Sequence, residues 1–382
     1  VIGGRIAACG TRNLAVWESD IVGEHIIDSV LDGKRVLITG GTGSLGKVLL
    51  RRLLAGTNGS PSKVTVLSRD EAKQHEIRVA YLHRRRPTDE VIYRNFADLL
   101  EFRIGDVRDF HSVGAALRDV DVVFNAAALK QVPTCEYFPH EAVRTNIDGA
   151  ENIVRAIRDL NLPVETVVGI STDKAVKPIN VMGMTKALQE RIFARANLEL
   201  PGTRFVIVRY GNVLASRGSV IPLFHEQIKA GGPVTITDPR MTRFLLSLED
   251  AVDVIMRAVA FGRRGETYIP RVPTALMTDV ATALIDGRPI KTVVTGIRPG
   301  EKLHETLISE EEGFRAFSRG DYYVVAPILP ELRDPSAEST FIEREYSSDA
   351  DVMSSAQVRD LLEKRNLMIG QQDLALDGEL LR

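Results

Sequence analysis

Short runs of β-branched and aliphatic residues recur along the first half of the chain, separated by stretches with helical apolar spacing. Lys34–Thr39 (KRVLIT), Lys63–Ser68 (KVTVLS), Leu100–Ile104, Asp121–Asn125 (DVVFN), Glu165–Ile170 (ETVVGI) and Arg204–Arg209 (RFVIVR) read as strands, and Leu45–Ala55 as the first intervening helix. Strands alternating with helices of this length predict an α/β fold, a doubly wound parallel sheet covered on both faces. Ile21–Leu31 has helix-like apolar spacing and is expected beside the first strand; residues 1–33 otherwise carry no motif. After residue 212 the spacing loosens, and Pro222, Pro233, Pro239, Pro270, Pro273 and Pro299 punctuate shorter elements of a smaller lobe. Residues 330–350, rich in Pro, Ser and charge, predict a surface excursion. The expected division is an extension over 1–33, a main α/β domain over 34–212 with returns near 245–265, a smaller lobe over 213–330, and a C-terminal segment over 331–382.

The first turn of this pattern carries chemistry. Gly40, Gly43 and Gly46 lie in TGGTGSLG, directly between a strand and a helix. There backbone can approach a pyrophosphate, and a helix start offers unpaired N–H groups. A Walker A loop fits as far as Gly41-x-x-x-x-Gly46-Lys47 and fails at Val48, where a Mg²⁺-binding hydroxyl is needed. The expected cradle is Gly40, Thr42, Gly43, Ser44, Leu45 and Gly46. An NAD enzyme typically places a carboxylate at the end of the second strand; this chain has Ser68-Arg69-Asp70-Glu71-Ala72-Lys73. Arg69 with Ser68 and Lys73 suits a 2′-phosphate and favours NADP over NAD. A solvated helix start capped by Asp70 is compatible with that reading. Asp106 and Val107 would flank adenine, and Ala126, Ala127 and Ala128 leave room for the cofactor.

A second constellation follows the fifth strand. STDKAVKPINVMGMTK keeps Lys186 of a Tyr-x-x-x-Lys pair but has Met182 where the tyrosine would stand. A thioether can neither give nor take a proton, so the usual hydroxyl base is missing. Asp173-Lys174 stands nearby as a pair suited to elimination chemistry. A helix-capping carboxylate beside a surface lysine is the plain alternative for that pair.

Composition narrows the setting. A net charge of −2 gives no support to nucleic-acid or membrane-surface binding. Arg84-Arg85-Arg86 reads as a solvated helix end. Two cysteines, Cys9 and Cys135, cannot form a disulfide framework and fit a reducing cytoplasm. No apolar run approaches the ~20 residues that span a bilayer, and the histidines show no metal-ligand spacing. The chain begins at valine, which leaves room for a preceding targeting segment.

Further strings, AALKQVPTCEYFP (Ala127–Pro139), STDKAVKPINVMG (Ser171–Gly183), RYGNVLASRGSVIPLF (Arg209–Phe224), ITDPRMTRF (Ile236–Phe244) and IRPGEKLHE (Ile297–Glu305), carry a resemblance over nearly all of 34–382. The chain resembles extended short-chain dehydrogenases of the nucleotide-sugar type, and within them the C5-inverting UDP-N-acetylglucosamine 4,6-dehydratases. Met182 is similar to the branch feeding UDP-N-acetyl-L-fucosamine, whereas IRPGEKLHE is closer to the pseudaminic-acid branch. The resemblance implies a Rossmann-type sheet with a smaller C-terminal lobe, a UDP-sugar substrate, NADP recycled on each turnover, and a redox-neutral loss of water across C5 and C6. It implies Lys174 as the C5 base, which requires a lysine pKa pushed down by burial and Lys186. It implies Asp173, raised by an apolar site, as the acid for the C6 hydroxyl, and Thr172 on the C4 oxygen. Lys186 would hold the nicotinamide ribose, and the deprotonation of the C4 hydroxyl falls to Lys186 through water or to Lys174. Asn146 is carried over as a cofactor residue. Lys130, Asn212, Arg217, Ser219, Arg243, Arg298 and Glu301 are carried over to the substrate; a salt bridge to Glu136 is the alternative for Lys130, and inter-lobe salt bridges for the arginines. His304 reads as structural. The helices Glu141–Leu160 and Asn180–Leu198 correspond to the pair that dimerises such enzymes, implying a homo-oligomer. A 4-epimerase, a reductase and a non-catalytic NADP-binding relative are the rival functions.

Overall fold

The computed structural model describes residues 26–82, 99–214, 219–333 and 341–371. Six parallel strands form where the β-branched runs stand: β1 (Arg35–Thr39), β2 (Lys63–Ser68), β3 (Leu100–Ile104), β4 (Val122–Asn125), β5 (Thr166–Thr172) and β6 (Arg204–Tyr210). They lie in the order β3-β2-β1-β4-β5-β6, which reverses direction between β1 and β4. A ligand crevice is expected at such a switch point, beyond the carboxyl ends of the strands. β5 runs two residues beyond the expected Ile170 because Ser171 and Thr172 pair with Arg209 and Tyr210 of an equally extended β6.

Side chains alternate between two buried faces, as a covered sheet requires. Val36, Ile38, Val66, Phe124 and Val208 join Leu49, Leu50 and Leu53 of α1 (Ser44–Ala55) on one face. Leu37, Val123, Val167 and Phe205 meet the other face's helices, after α2 (Glu71–Leu82) has crossed. These are α3 (Phe110–Leu117) through Val113, α6 (Gly149–Asp159) through Ile153, and α7 (Val181–Glu199) through Phe193. Short helices α4 (Val132–Tyr137) and α5 (Pro139–Ala142) precede α6. The helix expected over 141–160 therefore begins at Pro139 and widens into a π-type segment, Val143–Asp148. Within it the Asn146 side chain bonds both the N–H and the carbonyl of Leu129, at 2.8 and 3.0 Å.

After β7 (Asn212–Val213) the chain builds a second core. Ile221 and Phe224 of α8 (Val220–Lys229), Val234 of β8 (Val234–Ile236) and Leu245 of β9 (Thr242–Leu246) contribute to it. The chain then returns to the large sheet more extensively than 245–265. α9 (Leu248–Phe261) packs beside α1 through Val252 and Ile255, and β10 (Thr267–Pro270) joins β6 in parallel. β11 (Thr274–Leu276), α10 (Met277–Ile285), β12 (Thr292–Val294), β13 (Thr306–Ile308) and α11 (Glu310–Gly313) follow. β14 (Ala316–Arg319) and β15 (Tyr322–Val325) then extend the sheet antiparallel to nine strands. The surface excursion expected over 330–350 is corrected in part, with residues 334–340 outside the description. β16 (Tyr346–Ser347) pairs with β13, and fully buried Ser348 bonds the Thr242 hydroxyl at 2.8 Å and the Glu305 N–H at 2.9 Å. These hydroxyl partners let a polar stretch enter the interior. α12 (Ser355–Lys364) sends Val358 and Leu362 into the second core.

Of the expected N-terminal helix, the described part ends in fully buried Leu31, in the core beside Val36. Cys9 and the 84–86 arginines lie outside the described residues. Among those described, no helix is long and apolar enough to cross a membrane, and no cluster of His, Cys, Asp and Glu could hold a metal.

One buried ion network joins β6, α7 and α11. The Arg209 guanidinium meets Glu190 at 2.7 Å and Glu312 at 2.8 Å, and donates to the Leu307 carbonyl at 2.8 Å. Burial would raise the Glu312 carboxyl, but Arg209 and Arg315 override it and hold it down to about 2. Removing Arg209 would deprive buried Glu190 of its ion pair and leave Glu312 with Arg315 alone, so Arg209→Met is expected to lose about 3–5 kcal/mol of unfolding free energy in urea titrations at pH 7. A depressed carboxyl stabilises above its unfolded value of 4.5 and loses that contribution as pH falls toward 2. The deficit of the variant should therefore narrow across that window.

Candidate active site

β1 ends at Thr39, whose hydroxyl donates to Asn125 Oδ1 at 2.8 Å and accepts the Ala127 N–H at 3.2 Å, locking the ends of β1 and β4 together. The glycine turn follows. Gly43 is the N-cap of α1 and offers no side chain to the helix start, so the N–H groups of Ser44, Leu45 and Gly46 face outward without an intrahelical acceptor. A Cβ on Gly46 would press on Gly41 Cα at 2.5 Å, whereas on Gly43 it would meet only the Gly40 carbonyl at 3.4 Å. The space before the helix is an open cradle bounded by backbone, and it fits a pyrophosphate.

The end of β2 sorts the expected phosphate ligands. The Ser68 hydroxyl pairs with that of Thr42 at 2.9 Å. Lys73 turns onto Asp70, which caps α2 by accepting the Lys73 N–H at 3.0 Å. Arg69 stays accessible, its side chain 53% exposed and 3.7 Å from the Asp106 carboxylate. Burial of Asp106 is outweighed by hydrogen bonds from Arg108, which keep its carboxyl below the usual range. Val107 packs against Gly149, with a Cβ on that glycine 2.9 Å from it. Ala126–Ala128 continue the cradle beyond β4. Asn146 is buried, and its amide is filled by Leu129 and by the Thr185 hydroxyl at 2.9 Å. It orients the Leu129 backbone and has no donor left for a cofactor.

At the end of β5, the Thr172 hydroxyl donates to Asp173 Oδ1 at 2.8 Å, and Lys174 Nζ reaches the same oxygen at 3.0 Å. Asp173 is fully buried. Lys174 Nζ also lies 3.2 Å from Glu305 Oε1, a carboxylate only 2% exposed. Asp173 Oδ2 and Glu305 Oε2 are buried with no partner among the described residues. Gly183 lets α7 start directly against this turn, because any side chain there would collide with the Lys174 carbonyl. From the other side, Lys302 Nζ binds the Val176 carbonyl at 2.5 Å.

The two lysines titrate oppositely, which corrects an expectation. Burial disfavours the charge on Lys174, but Asp173 and Glu305 outweigh it and hold the amine above the ordinary lysine value. The expectation of a depressed Lys174 weighed burial and Lys186 without Glu305. Lys186 is the depressed amine. Burial pushes it down to about 8, only partly opposed by Glu190, while Nζ donates to the Ile170 carbonyl and Gln189 Oε1, both at 2.5 Å. Met182 fills an apolar pocket with Cys135 and Ala142, and burial pushes the Cys135 thiol up to about 11.

Of the residues expected on the substrate side, Asn212 Oδ1, Ser219 Oγ and Glu301 Oε2 are buried without partners among the described residues. Arg298 is 57% exposed and 3.9 Å from Glu301. Lys130 is exposed, and Glu136 accepts the Val181 N–H at 2.7 Å. Arg217 lies outside the described residues. Arg243 departs from the expected substrate role. Its guanidinium is spent on the carbonyls of Thr242, Leu303 and Lys302 at 2.6, 3.0 and 3.0 Å, stapling 302–303 to β9. His304 Nδ1 pairs with the Thr242 hydroxyl at 2.8 Å, a structural contact. Glu305 was not among the expected residues; its only sequence signal was its place as the last residue of IRPGEKLHE.

Comparison with known proteins supplies context for this geometry. The sequence profile described as polysaccharide biosynthesis protein matches residues 36–327. A protein of Rickettsia typhi (strain ATCC VR-144 / Wilmington) named UDP-glucose 4-epimerase is 44% identical over 317 residues, 82% of this chain and 87% of that protein. Among solved structures, Pen from Bacillus thuringiensis superposes with a TM-score of 0.78 at 33% identity, covering 88% of this chain and 99% of that one. DesIV, a dTDP-glucose 4,6-dehydratase from Streptomyces venezuelae solved with NAD and TYD bound, has a TM-score of 0.59 at 23% identity, covering 88% and 100%. At that identity it shares the fold.

The cradle makes a differential prediction. Gly43→Ala has room to fold but places a methyl in the pyrophosphate space, so its Tm should match wild type while nicotinamide dinucleotide affinity in calorimetry falls about tenfold or more. Gly46→Ala collides with backbone and should lower Tm.

Proposed function

Because the chain belongs to the polysaccharide biosynthesis protein family, we propose that it is a hydro-lyase acting on a nucleotide sugar, an NADP-dependent UDP-N-acetylglucosamine 4,6-dehydratase with inversion at C5. The observation that carries this reading is the Thr172–Asp173–Lys174 cluster at the carboxyl edge of the sheet, half-buried Thr172 and Lys174 around fully buried Asp173, with a buried amine, Lys186, on the following helix. A nicotinamide dinucleotide, when bound, supplies a reversible hydride acceptor for the sugar. The N–H groups of Ser44–Gly46 would hold its pyrophosphate, and Arg69 a 2′-phosphate.

Each residue's task follows from its side-chain chemistry and its place in the cluster. Lys186, with a pKa of about 8, is neutral often enough near pH 7 to accept the C4 hydroxyl proton. Thr172 is placed to hydrogen-bond the C4 oxygen. The C4 ketone so formed acidifies C5–H, and Lys174 takes that proton once it has shed one of its own. Asp173 is placed to deliver a proton to the departing C6 hydroxyl, which leaves as water. Asn212, Ser219 and Glu301 supply unfilled polar atoms for the nucleotide or sugar, with Arg298 at the rim. Met184 and Leu188, exposed one turn apart on α7, form the face through which two copies would pair.

A 4-epimerase is the second reading, favoured by the name of the Rickettsia relative. Epimerisation acts at C4 alone and leaves the Asp173–Lys174 pair without a proton to move at C5 or C6, which supports dehydration instead. Incubation with UDP-N-acetylglucosamine in deuterated water should yield a product lighter by one water that carries deuterium at C5. Unchanged mass with inverted C4 would establish the epimerase, and an unchanged sugar would remove both.

Two variants refine the assignment. The rate of C4 oxidation, read as cofactor reduction on mixing, should climb as pH rises through about 8, because only the neutral Lys186 amine accepts a proton. Lys186→Met should lower that rate by about a hundredfold or more. Arg69→Ala should weaken NADPH far more than NADH, and equal losses would assign the cofactor preference elsewhere.

A further inference from the structure

We propose that Glu305 is the proton partner of Lys174: it takes the ammonium proton within the buried cluster and so converts Lys174 into the C5 base. The inference rests on the dehydratase reading above. Lys174 Nζ touches two carboxylates, Asp173 at 3.0 Å and Glu305 at 3.2 Å. Asp173 must carry a proton if it is to protonate the departing hydroxyl, so it cannot also receive one from the amine. Glu305 is the remaining acceptor in contact. It is 2% exposed, and Oε2 has no partner among the described residues. Its backbone is fixed by the Ser348 hydroxyl, so its approach to Lys174 is built into the fold. Burial also raises the Glu305 carboxyl above its ordinary value, against the pull of Lys174. A neutral acid beside a neutral amine removes two charges from the interior, which offsets the intrinsic preference of the proton for nitrogen.

The proton balance closes. The Lys174 N–H bond breaks and an O–H bond forms on Glu305. The freed nitrogen pair then takes hydrogen from C5 as a proton, and the C–H electrons pass into the C4–C5 enolate. That enolate expels the C6 hydroxyl with the proton of Asp173. The proton held on Glu305 and the one released from the C4 hydroxyl replace the one lost by Asp173 and the one required at C5.

Glu305 acts through Lys174 and is a positioning residue, so the test reads steps separately. Full-length Glu305→Gln keeps the shape and cannot accept the proton. In deuterated water with UDP-N-acetylglucosamine it should still reduce cofactor on mixing, while C5 exchange at neutral pH falls about a hundredfold. Exchange should return only at high pH, where solvent can remove the Lys174 proton. Glu305→Asp restores an acceptor and should recover part of the exchange at neutral pH. C5 exchange in the glutamine variant near the wild-type rate overturns the proposal and leaves the dehydratase reading standing. Loss of fold or of cofactor reduction in both variants makes Glu305 a structural group and also overturns it. Wild-type protein that reduces cofactor without C5 exchange refutes the dehydratase reading and takes both down.

Discussion

Seven consecutive parallel pairs, from Thr166 opposite Arg204 to Thr172 opposite Tyr210, set the level at which the chain leaves the sheet after β5. Ending that ladder earlier would withdraw Thr172 and its neighbours into the strand layer. Pairing by twos also fixes which face each residue serves: Val167 turns to the α3–α6–α7 side, Val168 to the α1–α9 side. The turn that follows can therefore be placed by packing alone, with α7 brought against it through Gly183 and Phe193 laid beneath Gly169.

Electrostatics then differentiates two amines that sequence treats alike. Lys186 is held by a carbonyl and an amide oxygen, neutral acceptors that satisfy its hydrogens without repaying the loss of hydration, so its charge is disfavoured. Lys174 contacts the carboxyl groups of Asp173 and Glu305, whose pull on the ammonium does repay it. Arg209 represents a third regime, in which two carboxylates and a carbonyl enclose the cation and the ensemble is structural. Burial alone predicts none of these differences; the identity of the nearest oxygen decides them.

The strands were legible in the sequence because both faces of the sheet are covered, leaving β-branched runs with little polar interruption. The glycine turn and Asp173-Lys174 were legible because each is a contiguous string in a defined strand-to-helix context. What escaped depends on contacts between distant segments. Glu305 reaches Lys174 only after the second core has folded, and nothing in its local sequence distinguishes it from Glu301. Arg243 looks like a ligand for phosphate until the backbone of 302–303 arrives to occupy it. The widened helical turn around Asn146 has no periodic signature. Ser348, in a segment whose composition speaks for solvent, is interior because hydroxyl partners wait there.

The strap formed by residues 302–305 crosses from the second core to the turn after β5, with Lys302 on the Val176 carbonyl and Glu305 on Lys174. Acid–base poise in this protein is thus not a local property of the strand end. Were the strap to lift, Lys174 would lose Glu305, the carboxylate that both holds its charge and receives its proton. Mechanical apposition of two parts of the chain and the proton inventory between them are a single variable, so that whatever moves the strap also resets the base.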